Sequence, residues 1–275
     1  MYYLIDNEQI DSNEIALNIH SLFLHTAQGL CISMLYNNRV ILWFEEHIKQ
    51  LQTDAKRQGF DIDLEKINYE KIIQLLEKNK LLDKTALIKI LCIKQIFNCS
   101  IIILTYPYKL SVENTKAIVH SESFLSNYDR MHNLNLAREI FWLEFYKKKF
   151  GVDQILFINN KKRIIQGFNA NIIALWNKNL YYVHPTQNYK PYIIQKKLLK
   201  KAKKLGIKKV LDKGKGLSFK LLEQADEVIL LNDIFLARTI EKIYKPSGSF
   251  ILTSQKALKK TNNTFAKLIH DFFLK

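Results

Sequence analysis

The apolar residues of this chain change their period at Glu45, and that change excludes both an all-helical and an all-strand fold. Before it, residues 21–25 and 30–35 have the composition of strands, and Asn37-Asn38 offers a turn into the apolar stretch 40–44. After it, Ile48, Leu51 and Ala55 fall at helical spacing, and Gly59 stands where a helix C-terminus needs a left-handed residue. Residues 69–78 repeat the helical pattern. Two β-rich runs follow, 87–97 and 100–106, then Pro107 and a third short run at 117–120. The first unit therefore reads as α+β.

A polar stretch, 121–133, is the expected interdomain crossing, which gives a small α+β domain over 1–120 and a larger α+β domain over 134–275. From Leu134 an amphipathic helix is expected through Ile140, Leu143 and Phe145, ending in Lys147-Lys148-Lys149 before Gly151. Lysines there suit the negative end of the helix dipole. Strands are expected at 154–158, 163–165, 172–176 and 180–183, with the Asn159-Asn160 turn between the first two. His184-Pro185 closes that set. Pro191 starts a helix whose apolar stripe is Ile194, Leu198, Ala202 and Leu205, ended by Gly206. Gly214 and Gly216 mark a loop, 217–225 a short helix and 228–231 a buried strand.

Composition narrows the function classes. Hydrophobic residues make up 48% of the 275, enough for a packed core. No segment reaches the ~18 uninterrupted apolar residues of a membrane helix, and the first residues lack the basic region of a secretory signal, so no membrane association is expected. Cys31, Cys92 and Cys99 are odd in number and lack metal-binding spacing, so neither a disulfide framework nor a metal site is expected, and the compartment reads as cytoplasmic. The formal net charge of +16 is partly local, with ten lysines between positions 196 and 215. They permit a basic nucleic-acid-binding protein. Without an aromatic stacking platform or an arginine-rich face, however, a solvated helix surface accounts for them better. Neither HExxH nor GxSxG is present, which sets aside the corresponding metal and serine hydrolases.

Five segments in order carry a resemblance: His47-Ile48-Lys49-Gln50-Leu51, Gly151-Val152-Asp153-Gln154-Ile155-Leu156, the span from Gln166 to Asn171, His184-Pro185, and Gln224-Ala225-Asp226-Glu227. Together they resemble the class IV aminotransferase family, which includes branched-chain and D-amino-acid aminotransferases and aminodeoxychorismate lyase, all users of pyridoxal phosphate. The resemblance implies the two-domain α+β fold of the D-amino-acid aminotransferase type, a homodimer, and a small-molecule ligand in the interdomain cleft. Chain length and the Gln-Ala-Asp-Glu segment lean toward aminodeoxychorismate lyase.

That chemistry needs three things: a lysine to hold the cofactor aldehyde, a carboxylate to keep the pyridine nitrogen protonated, and an arginine with helix-start N–H groups for the phosphate. The family pattern puts the lysine at His132 or Asn133, or at Ser126 on a second alignment, and no lysine lies between Lys116 and Lys147. The carboxylate position is Gln166 and the arginine position Gln50. The phosphate turn falls at 192–196, lacks the family's glycine, and offers Lys196 as a point charge. Loss of the arginine and the carboxylate together weakens cofactor binding by roughly two to four decades. The expectation is therefore a degenerate homologue, a pseudoenzyme or a cofactor-independent activity, with no cofactor. An active aminodeoxychorismate lyase or aminotransferase with a displaced lysine is the alternative. His132 fits an acid or base as well as a surface histidine; Gln50 and Gln166 fit polar ligand contacts or polar filler; Asn171 fits a backbone-bonding turn residue.

Overall fold

The computed structural model describes residues 1–13, 29–94, 99–111, 114–120, 137–184, 192–245, 247–253 and 264–274. They form two compact units, one within Met1–Leu110 and one from Ser111 onward.

The first unit is a six-stranded antiparallel sheet with two helices. Its strands are β1 (Tyr2–Ile5), β2 (Glu8–Asp11), β3 (Gly29–Asn37), β4 (Val40–Ile41), β5 (Ala86–Lys94) and β6 (Cys99–Pro107), ordered β2-β1-β6-β5-β3-β4. Along β5, Ala86, Ile88, Ile90 and Cys92 are buried and the residues between them half-buried, the period of two that a sheet with one covered face requires; only Ile93, near the end of the strand, is buried out of step. That face packs with Leu30, Ile32 and Met34 of β3 under Leu51 and Ala55 of α1 (Phe44–Arg57) and Ile72, Leu75 and Leu76 of α2 (Tyr69–Lys78). The period change at Glu45 is the start of α1, and Gly59, with φ +73°, stands just beyond its end. Asn68 caps α2 through Oδ1, which accepts from the Lys71 N–H at 3.1 Å.

The second unit is a nine-stranded mixed sheet among the described residues, with β7 (Thr115–Val119), β8 (Gln154–Ile158), β9 (Ile164–Gly167), β10 (Asn171–Trp176), β11 (Asn179–Tyr182), β12 (Lys209–Asp212), β13 (Glu227–Asn232), β14 (Leu236–Tyr244) and β15 (Phe250–Thr253). The order is β12-β11-β10-β13-β14-β7-β8-β9, with β15 on β14; the pairs β11/β12, β14/β7 and β7/β8 are parallel. All six residues of β13 are buried, as a central strand covered on both faces demands. Its helices are α3 (Ala137–Phe150), α4 (Ile193–Lys201), α5 (Phe219–Gln224) and α6 (Phe265–Phe273).

Two expectations change, and one hairpin is new. The run at 117–120, counted with the small domain, lies in β7, a strand of the second sheet; pairing with β8 and β14 outweighs its nearness in sequence to the first unit. The expected amphipathic stripe of the helix before Gly151 is buried only in part: Ile140 and Phe145 are 48% and 43% exposed, as is Phe141 at 62%, whereas half-buried Leu143 packs with Trp142 and Phe150 beside buried Tyr146 where α3 meets the sheet. Residues 1–11 form a hairpin, β1–β2, turning at Asp6 and Asn7 with φ of 48° and 73°. The expected crossing at 121–133, the run at 21–25, Pro185 and Pro191 lie outside the described residues. No helix among the described residues is long and apolar enough to cross a membrane.

The basic segment takes the solvated form. In α4 and the 3-10 turn after it (Ala202–Leu205), Ile194, Leu198, Ala202 and Leu205 are buried, whereas Lys196, Lys200, Lys201, Lys203 and Lys204 are exposed.

Candidate ligand site

The sequence-predicted site residues fall in both units, Gln50 in the first and Gln166, Asn171 and Lys196 in the second. In the first, Gln50 lies on α1, where its Nε2 donates to Oδ1 of Asp54 one turn on at 2.9 Å. Asp54 is fully buried, and Arg57 reaches it at 3.6 Å. The amide at position 50 thus helps satisfy a buried carboxylate of its own helix. His47, one turn before Leu51, is buried as a structural residue of α1.

In the second unit, antiparallel pairing of β10 with β13 sets Asn171 opposite Leu231, so Asn171 and the residues after β13 emerge at one end of the sheet. The start of α4 lies there. Tyr192, its N-cap residue, makes no side-chain cap bond, and no acidic residue of the helix itself stands in the first turn. Side chains from the sheet satisfy the orphan N–H groups instead. Asn171 Oδ1 accepts from the Tyr192 N–H at 3.2 Å; Asp233 accepts from the Ile193 N–H through Oδ2 at 3.1 Å and from the Ile194 N–H through Oδ1 at 2.7 Å. Asn171 and Asp233 are both buried, at 1% and 4% exposure. The connection bearing Asp233 is itself fixed, since Asn232 Oδ1 accepts from the Ile234 N–H at 2.7 Å.

Two amides complete this end. Gln166, on β9 opposite Phe157 of β8, is buried. Gln195, on the first turn of α4, is 2% exposed; its Nε2 donates to the Val183 carbonyl at 3.3 Å, and its Oε1 has no hydrogen-bond donor within reach. A buried acceptor left unmet costs about 1–3 kcal/mol, so this oxygen is a place where a donor from water or a ligand would be gained.

Sequence reasoning thus located the helix start and Asn171, and its reading of Asn171 as a backbone-bonding residue describes what the side chain does. Lys196, offered as a point charge for a phosphate, is exposed on α4, while the N–H groups of that turn are held from below by Asp233. Asp233 and Gln195 were missed. The available signal for Asp233 was an Asn-Asp pair directly after the apolar run 228–231, a turn signature that does not reveal which backbone the carboxylate will meet. His132, Asn133 and Ser126 lie outside the described residues. No cluster of His, Cys, Asp and Glu able to hold a metal occurs among the described residues.

Tested against a phosphate dianion, the start of α4 does not fit as it stands. The two N–H groups that would face the anion already face a carboxylate, and a second anion in the same place meets a like charge at hydrogen-bonding distance.

The whole chain has well-defined relatives in structure. A hypothetical aminotransferase from Mycobacterium tuberculosis in its PLP-bound form superposes with a TM-score of 0.83 at 13% identity, over 100% of this chain and 99% of that one. A branched-chain aminotransferase from Thermoproteus uzoniensis with norvaline gives 0.82 at 17%, over 100% and 95%. The Escherichia coli branched-chain amino acid aminotransferase gives 0.82 at 18%, over 99% and 92%. No curated protein matches. The first of these structures corrects the expectation of no cofactor: it holds PLP on this same fold, and pyridoxal phosphate is the cofactor to which the comparison points. Replacements at single positions such as Gln50 and Gln166 change the strength of individual contacts and leave the backbone frame intact, so they were a poor basis for that expectation. The family model for class IV aminotransferases matches residues 31–243, spanning both units and every described site residue, and the chain belongs to the class IV aminotransferase family.

Proposed function

We propose that this chain has kept the class IV aminotransferase frame and lost the lysine-dependent transfer chemistry, and that it acts as a ligand-binding relative of the enzymes. From the similar structure that holds it, pyridoxal phosphate is carried over as the ligand, bound without a covalent link to the chain. That group supplies an electron sink when its ring nitrogen is held protonated and its aldehyde is held by an amine. The observation that carries the reading is Gln166, a buried amide with no charge to offer a pyridinium. The lysines that bound the lysine-free stretch support it. Lys116 is 42% exposed, with its Nζ 4.0 Å from Glu241, and Lys147 is exposed at the end of α3. The family lysine position falls at His132 or Asn133, or at Ser126 on the second alignment, and none of these has an amine side chain.

With pyridoxal phosphate and a panel of branched-chain and D-amino acids, the purified chain is expected to form oxo acids no faster than free pyridoxal phosphate does in the same buffer. Saturable turnover above that rate would contradict the proposal and make the chain an active aminotransferase. Aminodeoxychorismate is assayed alongside, and its conversion would assign an active lyase.

The chain pairs with a second copy of itself over α3. Ile140, Phe141 and Phe145 form an exposed apolar group that includes aromatic rings in contact with Trp142 at 5.4 and 5.7 Å, and burial of such a group is worth about 25 cal/mol per Å². Phe141→Glu is expected to turn a dimer into a monomer in size-exclusion chromatography with light scattering. A monomeric wild type, or a dimeric variant, would contradict the assignment. The three free cysteines, Cys31, Cys92 and Cys99, suit a reducing, cytoplasmic setting.

A further inference from the structure

Two of the three cysteines share one face of the first sheet. Antiparallel pairing sets Cys92 of β5 opposite Ile101 of β6 and Lys94 opposite Cys99, so Cys92 and Cys99 are diagonal neighbours whose side chains leave the sheet on the same side. Both belong to the core of the first unit, where Cys92 is completely buried and Cys99, the first residue of β6, is half-buried. Their thiols lie within hydrogen-bonding reach, the Cys92 S–H facing the Cys99 sulfur. Cys31 stands apart, since it pairs with Leu91 and so points to the opposite face. The surroundings also separate the two partners. The bond from Cys92 holds the Cys99 thiol below the usual cysteine value and Lys66 adds to this, while burial and Asp6 oppose it. The same bond, with burial, pushes Cys92 up. The thiolate is the reactive form of cysteine, so Cys99 is the more reactive of the pair as well as the more accessible.

We propose that Cys92 and Cys99 form a redox pair, in which a hydroperoxide oxidises Cys99 and Cys92 then closes a reversible disulfide across the last rungs of the β5–β6 ladder. The Cys99 sulfur attacks one peroxide oxygen, the O–O bond breaks, and the second oxygen leaves as hydroxide, which takes up the thiol proton to become water. Cys99 is then a sulfenic acid. The Cys92 sulfur attacks it, the S–S bond forms as the S–O bond breaks, and the sulfenic oxygen leaves with the Cys92 proton as a second water. Two thiols lose two electrons, and the O–O bond takes them. Diagonal cross-strand Cα atoms stand ~7–8 Å apart, at the edge of what a disulfide spans, so closure draws Cys99 inward by about 1 Å. Only the Lys94–Cys99 rung, the last of the ladder, has to give. A thiol reductant restores the pair. None of this depends on the function proposed above.

The test exposes the full chain to hydrogen peroxide, alkylates the remaining thiols in denaturant, and maps the peptides with and without prior dithiothreitol. The expected result is one free thiol of the three, at Cys31, and an intramolecular Cys92–Cys99 link that the reductant reverses. Cys99→Ser is expected to slow loss of the first thiol about tenfold, and Cys92→Ala to leave Cys99 as a sulfenic acid that dimedone traps. Cys99→Ser changes a half-buried position and serves as the folded variant should Cys92→Ala fold poorly. Three free thiols at a peroxide dose that oxidises glutathione in the same buffer would overturn the proposal. So would a link through Cys31 or between two chains, or a Cys99→Ser variant that loses its first thiol as fast as the wild type.

Discussion

Glu227→Ala is expected to undock the C-terminal helix and to cost the chain ~2–4 kcal/mol, a fall in Tm of roughly 5–12 °C for a protein of this size. Glu227 opens β13 and is 3% exposed. Its Oε1 accepts from the Thr239 hydroxyl and from the Ala266 N–H at 3.3 Å, and its Oε2 accepts from the Phe265 N–H at 2.7 Å. One carboxylate therefore ties the first two residues of α6 to the sheet, while Thr264 caps the Lys267 N–H at 3.2 Å. Alanine leaves two helix-start N–H groups without that acceptor and opens a void beside buried Ala266. Glu227→Gln keeps an acceptor and loses the charge, so its loss should be the smaller. Differential scanning calorimetry of both variants, with far-UV circular dichroism, measures this; an alanine variant within 1 °C of wild type would contradict the account of α6.

The pH dependence of the same contact has two opposed signs. Burial raises the Glu227 carboxyl above the usual carboxylate range, and the bonds from Thr239, Phe265 and Ala266 pull it part of the way back. The proton is thus held more tightly folded than unfolded, and this group's stabilisation is full in acid and declines as pH rises through its folded value. His270 behaves oppositely. Burial lowers it, and its Nε2 stands 2.8 Å from the Ala237 carbonyl, which only accepts, so the neutral ring carries its proton on Nε2. Its contribution is full above the usual histidine pKa of ~6.5 and is lost as pH falls toward its lower folded value. Wild type minus His270→Gln should therefore show a Tm difference that shrinks as pH falls below about 6.5.

The reach of the sequence followed the strength of its local patterns. The helix at 69–78 and the strand at 154–158 were legible to the residue, because one has a strong apolar stripe with an Asn cap and the other is a short apolar run between a glycine and a turn. The β1–β2 hairpin was not, since its strands are four residues each and β2 is mostly exposed, so no face advertises a core. β12 was hidden for a related reason: Lys209 and Val210 are exposed on a sheet edge, and only parallel pairing with β11 makes the segment a strand. β14 mixes Arg238, Glu241 and Lys242 into an apolar run and needs neighbours on both sides to be recognised. At the site, residue types were legible and roles were not. Gln50 could be placed on its helix, but its bond to Asp54 could not. Asp233 sits in a turn whose partner is 39 to 40 residues away, a contact that only the pairing of β10 with β13 creates.

The second large effect concerns the amine chemistry itself. A lysine that holds an aldehyde must be neutral and desolvated, whereas of the lysines flanking the lysine-free stretch Lys147 is exposed and Lys116 is half-buried with its charge paired to the Glu241 carboxylate. Reduction with borohydride after equilibration with one equivalent of pyridoxal phosphate, followed by peptide mapping, puts the question to every lysine at once. The account predicts sparse labelling spread over exposed lysines, rising in proportion to the pyridoxal phosphate added. A single lysine labelled to completion at one equivalent, with loss of a visible-edge absorbance band on reduction, would contradict it.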